Sequence, residues 1–506
     1  MAESTAASPT RDPALFNDDI APTEAGRRTW NMWHMAALWV GMAVCVPSYQ
    51  LAASLIKDGM DWRQAVGTIA LGNVIVLLPM ILNGHAGAKY GIPFPVYARA
   101  SFGVLGANLP AVMRALVACG WFGIQTWIGG KALYTLLRAV WPHLAPVDET
   151  ALFPGMGPFA CFVAFWAVNV YFIWKGTESI KWLETLAAPF LIVAGLALVV
   201  WAHGRAGGFG RMLSTPTKFA TTGQFLVVFF PSLTAMVSYW GTLALNIPDF
   251  TRFARNQRDQ AVGQALGLPT TMTLFAFIGV AVTSASEVIF GESLWDPTDV
   301  VVRAVTPAAG ASVTIAGIVV VLIGMVGLSV ATLSTNIAAN VVSPANDISN
   351  LRPGKISFRA GGLVTAVVGL LMFPWKLIAT TKGYIFTWLI GYGVLLGPIG
   401  GILIVDYFVV RRRELVVADL YRRGGVYEYR GGVNARAIAA FVAGVAPNVP
   451  GFLVASGALA AARVPAALTQ VYSYAWFVGL GVAGVVYWAL MRGRAGAPVR
   501  SRSTTA

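Results

Sequence analysis

Twelve stretches of largely apolar residues follow one another along this chain, at about 33–56, 65–84, 109–137, 157–174, 179–202, 223–246, 264–286, 311–342, 360–378, 384–410, 435–458 and 472–491. A helix rises 1.5 Å per residue, so about 20 apolar residues cross the hydrocarbon of a bilayer. Inside that slab every backbone N–H and C=O must be satisfied within the segment, which restricts these stretches to helices. Charged residues make up only 11% of the chain, against about 25% in soluble domains. So few charges exclude a soluble enzyme, a disordered chain and a secreted scaffold. The expected fold class is an all-α polytopic membrane protein with twelve transmembrane helices.

The charges present are unevenly placed. A net charge of +14 would suit a nucleic-acid binder, but Lys and Arg fall more than twofold in favour of alternate loops, the pattern of a cytoplasmic face. The lipid bilayer is therefore the expected partner, with no nucleic acid. Both termini are predicted inside, with tails at 1–32 and 492–506 and a basic inside loop at 411–434. The first thirty residues lack an apolar core and read as a short polar tail. Cys45, Cys119 and Cys161 have no paired spacing, which gives no disulfide framework and no metal pattern. His34, His85, His143 and His203 are dispersed and support no histidine relay.

Two spans carry breakers. Span one contains Gly41-Met-Ala-Val-Cys-Val-Pro47-Ser-Tyr49, and span six runs from Pro231 through Tyr239-Trp-Gly241 to Asn246-Ile-Pro248-Asp249. Proline removes a helical hydrogen bond, and in hydrocarbon the freed carbonyl needs another partner. Either break alone reads as a packed kink. Five spans apart, they match paired interrupted helices in the two halves of a secondary transporter. The halves are then 33–202 and 223–410, with two further helices over 435–491.

Polar residues within the spans add to this. Trp121 and Gln125 lie one helical turn apart on one face, an indole beside an amide that suits a flat polar ring. Helix packing is the alternative. Span eight holds Ala331-Thr-Leu-Ser334-Thr335-Asn336-Ile-Ala-Ala-Asn340, where hydroxyls could serve packing or an oxygen-lined cation site. Asp249 with Arg252, and Asp406 with Arg411, sit at inner span ends as structural ion pairs or gating salt bridges. Lys131, near the outer end of span three, is expected to snorkel.

Several blocks in order resemble one family: Asn83-Gly-His-Ala-Gly-Ala-Lys-Tyr-Gly-Ile-Pro-Phe-Pro95, Trp121-Phe-Gly-Ile-Gln-Thr-Trp127, Leu245-Asn-Ile-Pro-Asp-Phe-Thr-Arg252, the span-eight run above, Leu396-Gly-Pro-Ile-Gly400 and Asp406-Tyr-Phe-Val-Val-Arg-Arg-Arg413. The chain resembles the nucleobase:cation symporter-1 family over nearly its whole length. The resemblance implies a LeuT-like five-plus-five inverted repeat and alternating access. It implies a substrate ring between Trp121 and Trp240, with Gln125 and Asn340 as polar partners. It also implies a sodium site from the carbonyls of Gly41, Val44 and Ala331 and the hydroxyls of Ser334 and Thr335. One departure is Cys45, where the hydantoin and allantoin branches of the family carry an amide. A thiol bonds a substrate poorly, and the flanking text is closer to the uracil and purine branch. The expected function is import of a nucleobase, uracil first, by cation symport, with allantoin or hydantoin as the alternative. Na⁺ is the expected coupling ion and H⁺ the alternative, with no other cofactor. A monomer in the cytoplasmic membrane is expected. Neither an enzyme nor a channel is indicated, since no catalytic constellation or filter motif is present.

Overall fold

The computed structural model describes residues 12–141, 143–175, 181–306 and 314–494. The expected start of span five, the first residues of span eight at 311–313, and the tail residues 1–11 and 495–506 lie outside the described residues. The described chain is built from helices: α1 Met32–Ala43, α2 Val46–Lys57, α3 Trp62–Tyr90, α4 Phe94–Phe102, α5 Asn108–Val140, α6 Met156–Lys175 and α7 Lys181–Ala206. There follow α8 Thr222–Tyr239, α9 Gly241–Asn246, α10 Pro248–Thr251, α11 Gln257–Phe290, α12 Pro297–Val305, α13 Ile315–Asn340 and α14 Val342–Leu351. The last are α15 Phe358–Leu371, α16 Gly383–Val410, α17 Ala435–Ala455, α18 Ala466–Tyr472 and α19 Ala475–Met491.

Their ends follow local chemistry. Asn31 caps α1 by accepting from the amides of Trp33 and His34, and Asp61 caps α3 in a reciprocal box with Gln64. Gly91 and Gly291 close α3 and α11 at φ 71° and 77°, where a side chain would be strained.

Among the described residues, nine helices are long and apolar enough to cross a membrane, or eleven if two bent pairs each count as one. Span one is one such pair: α1 and α2 meet at 62° across Val44 and Cys45. The final span, expected at 472–491, is the single helix α19, and a further short helix precedes it. That preceding helix, α18, lies at 89° to α19. The ninth span was expected at 360–378, but α15 stops at Leu371, because Phe373 adopts φ 50° and Pro374 follows it. Twelve full-length crossings are therefore not reached by length alone. The third span, α5, is the most deeply buried long helix, and it packs against α6, α13, α14 and α15. Glycines make this approach close: a Cβ at Gly123 would meet the Gly369 carbonyl, and one at Gly120 the Trp388 ring.

Candidate substrate and cation sites

The two breaks release the groups a site needs. At the first, Cys45 N–H donates to Ala43 O at 3.1 Å and not to its helical partner Gly41 O. Ser48 N–H likewise donates to Cys45 O at 3.1 Å, leaving Val44 O. The carbonyls of Gly41 and Val44 are thus withdrawn from the helical ladder at mid-membrane. Val44 belongs to the same buried cluster as Ala331, and α1 packs on α13. Ser334 and Thr335 are buried on that helix. The donor set is neutral oxygen throughout, which fits a hard monovalent cation. At the second break, Trp240 interrupts the helix between Tyr239 and Gly241, with φ −92° and ψ 6°.

Beside this lies an aromatic enclosure. Trp121 of α5 is ringed by Tyr239 at 5.2 Å and by Trp388, Tyr384 and Tyr392 of α16 at 5.8, 6.3 and 6.4 Å, all edge-on. Gln125, one turn along, is buried with Oε1 lacking a partner. Leaving an amide oxygen unsatisfied costs about 1–3 kcal/mol, so the group is poised for a donor on a ligand. Asn340 donates through Nδ2 to Asn336 Oδ1 at 3.0 Å. Asn336 in turn donates to Thr126 Oγ1 and to Asn169 Oδ1, each at 3.1 Å. Asn340 is therefore oriented by a chain of amides on α13 and α6 and the Thr126 hydroxyl on α5.

Cys45 does not stand alone. Its Sγ lies 3.2 Å from Ser48 Oγ and 3.4 Å from Tyr239 OH, which are 2.9 Å from each other. This trio of small polar groups joins the break in span one to the sixth-span ring of Tyr239.

Other expected residues fall differently. Trp240 is turned from Trp121: its Nε1 donates to Asn73 Oδ1 at 2.9 Å, and its ring meets Trp39 edge-on at 5.2 Å. Tyr239 is the sixth-span ring set against Trp121. The Asp406–Arg411 pair forms at 2.6 Å, with Tyr487 OH and Ser101 Oγ also donating to Asp406. Asp249 and Arg252 interact through space but form no salt bridge. Asp249 Oδ1 accepts from the Phe94 amide at 2.8 Å, capping α4, while Arg252 donates to the Asp19 carbonyl. The α10 turn buries Asp249 and directs Arg252 toward the tail. Lys131 does not snorkel. It is buried and bound to Asp296 at 2.8 Å. Sequence reading missed Asn73, Asn169, Tyr239 and the α16 rings, and single polar residues in apolar helices were the available signal for the first two.

Broken helices around a neutral, ring-lined enclosure define a membrane carrier for a small polar molecule. The chain belongs to the nucleobase:cation symporter-1 family. Residues 22–479 match the family model described as a permease for cytosine/purines, uracil, thiamine and allantoin. The chain is 45% identical to the purine-uracil permease of Arabidopsis thaliana, covering 95% of this chain and 78% of that one. It is 40% identical to the allantoin permease of Bacillus subtilis, covering 94% and 93%. Among solved structures it is similar to the inward-facing conformation of Mhp1, with TM-score 0.78 and 28% identity over 97% of this chain and 96% of that one. The chain is thus a multi-pass transporter of the nucleobase type and not an enzyme.

Proposed function

We propose that this protein imports a nucleobase, uracil first, across the cytoplasmic membrane by cation symport, with both termini inside and the halves 33–202 and 223–410 as its inverted repeats. The observation that carries the reading is the unpartnered Gln125 Oε1 beside the Trp121 ring. A flat base with an N–H edge would lie along the indole and donate to that oxygen, with Asn340 reading a second edge. The aromatic pair Tyr239–Trp240 supplies the other wall. Trp240 would complete it by rotating away from Asn73. Cys45, Ser48 and Tyr239 offer hydroxyl and thiol contacts in place of an amide, which favours a compact ring over one with a ureido arm. The name of the Arabidopsis relative supports the same choice.

The coupling ion is proposed as Na⁺, held by the carbonyls of Gly41, Val44 and Ala331 and the hydroxyls of Ser334 and Thr335. It would join the break in span one to span eight. Binding there and in the ring site couples only through the difference in affinity between outward and inward forms. The Asp406–Arg411 pair, with Asp249 and Arg252, braces the inner ends of spans ten and six during that exchange. A monomer suffices for this cycle.

Radiolabelled uptake into proteoliposomes tests the proposal. Uracil uptake should concentrate under an inward Na⁺ gradient and fall in Gln125→Ala. Uptake unaffected by Na⁺ and abolished by a protonophore would replace sodium with a proton. A second reading, allantoin, is favoured by the 40% identity to the Bacillus subtilis relative, and stronger competition by allantoin than by uracil would select it.

A further inference from the structure

Trp240 stands at the break in span six, and its indole is held away from Trp121 by one residue of span two. Its Nε1 donates to Asn73 Oδ1 at 2.9 Å, with both side chains buried. The amide of Asn73 is turned this way by its other contacts. Its Nδ2 donates to the Ile69 carbonyl one turn back at 2.8 Å, and to Met236 Sδ at 3.7 Å. Both uses of the nitrogen leave the oxygen as the end that faces the indole. Met236 lies on α8 itself, and α3 packs on α8 so closely that a Cβ at Gly72 would meet it. Two helices thus fix the acceptor before the indole reaches it.

The remaining contacts of the indole are ring edges. It meets Trp39 of α1 at 5.2 Å and Tyr239 at 4.9 Å, both at right angles. Such edge contacts tolerate several orientations, whereas a hydrogen bond demands one. The backbone at Trp240 is already out of the helical ladder. Its N–H donates to Ser238 O, with φ −92° and ψ 6°. Turning the indole therefore breaks a single hydrogen bond and no helix. Tyr239 is held differently, because its hydroxyl is tied to Ser48 and Cys45 of span one. Of the two adjacent rings, one is anchored across the site and the other is held only through Asn73.

We propose that Asn73 is a positioning residue of the carrier: it stores Trp240 in the empty site, and a flat ring seated on Trp121 draws the indole away to close the second wall. The inference rests on the ring-site reading above and adds the residue that sets how readily the wall closes. Asn73 itself does not touch the substrate. A site whose competent form is a minor one binds more weakly in proportion to that fraction. One net hydrogen bond in favour of the stored form lowers the fraction about fivefold. Loss of the Asn73 oxygen should therefore tighten binding, the opposite sign to loss of a contact residue such as Gln125.

Fluorine NMR on the full chain carrying 5-fluorotryptophan tests this, the Trp240 signal being the one lost in Trp240→Phe. Wild type without ligand should be dominated by one Trp240 signal, and saturating uracil should move it to a second position. In ligand-free Asn73→Leu the second signal should gain about fivefold on the first. Asn73→Ala should act alike, and serves if the leucine does not pack. Equilibrium binding of radiolabelled uracil should tighten about fivefold in either variant. In a Trp240→Phe background, where there is no N–H to store, the same substitutions should change affinity by no more than about twofold. A Trp240 signal unmoved in both Asn73 variants, unchanged or weaker binding in both, or an equal gain in the Trp240→Phe background would each overturn the assignment. If uracil neither binds nor shifts the wild-type signal, allantoin replaces it. The ligand-free spectra decide the role of Asn73 without either, so a wrong substrate leaves that result standing.

Discussion

Helix α5 carries a buried cation near each end, and the two are partnered in opposite ways. At the inner end Arg114 faces Asp347 of α14 at 3.1 Å, with 1% and 0% of the side chains exposed. At the outer end Lys131 faces three carboxylates beside a vestibule of about 740 Å³. The inner group is dry and matched, with the carboxylates of Asp347 and Asp249 set against Arg114 and Arg252, so little charge is left over. The outer cluster has more acid than base and solvent at its rim. A dry, matched pair fixes helices relative to one another. A mismatched pair at a wet edge responds to whatever the medium supplies. Two cation-bearing turns of the same helix thus meet a sealed set of partners at one end and a solvent-bordered set at the other.

The comparison breaks first at the inner end. Arg114→Ala leaves Asp347 buried without a counter-charge, and should cost about 3–5 kcal/mol. Thermal unfolding in detergent should show it as a large fall in midpoint or a loss of folded protein. Lys131→Met should cost less, about 1–2 kcal/mol, because two of its three partners, Glu149 and Asp299, border the vestibule and can recover water. The same melting experiment ranks the two, and equal losses would erase the distinction between ends.

Between the ends lies the neutral site. Trp121→Ala should weaken uracil binding by about 2 kcal/mol, about 30-fold, through lost ring burial and edge contacts, read as competition in a binding assay. Thr335→Ala removes one oxygen from the cation set and should raise the Na⁺ concentration for half-maximal uptake about tenfold, or about 1.4 kcal/mol, while leaving the melting midpoint within about 1 kcal/mol of wild type. The smallest effect belongs to Cys45→Ser. A hydroxyl can keep the contacts with Ser48 and Tyr239, and affinity should change by no more than about threefold.

Much of this was legible in the chain itself, for reasons that differ by residue. Pro47 and the Tyr239-Trp240-Gly241 run announced the breaks, because proline and glycine act on the backbone locally. The acid-rich outer loop after α11 was visible as composition, yet its use was not. Lys131 reads as a snorkelling residue until Asp296, 165 positions away, is seen to cover it. Asp249 and Arg252 read as a pair by proximity in sequence, but the Phe94 amide, 155 positions away, competes successfully for the carboxylate. A backbone donor fixed at a helix start needs no side-chain ordering, whereas Arg252 would have to be held. Trp240 misled in the same way, since Asn73 on another span sets its direction.

The sequence by itself determined that this chain lives in a bilayer, where its helices break, and which neutral side chains share a face of the third and eighth spans. Those are consequences of solvent and of backbone chemistry over a few residues. Only the tertiary structure decided which polar groups remain unpaired at Gln125, which ring meets Trp121, and how many acids gather on Lys131. In hydrocarbon each such group must find a partner on another helix or keep its desolvation cost. Helices far apart in the chain settle that choice.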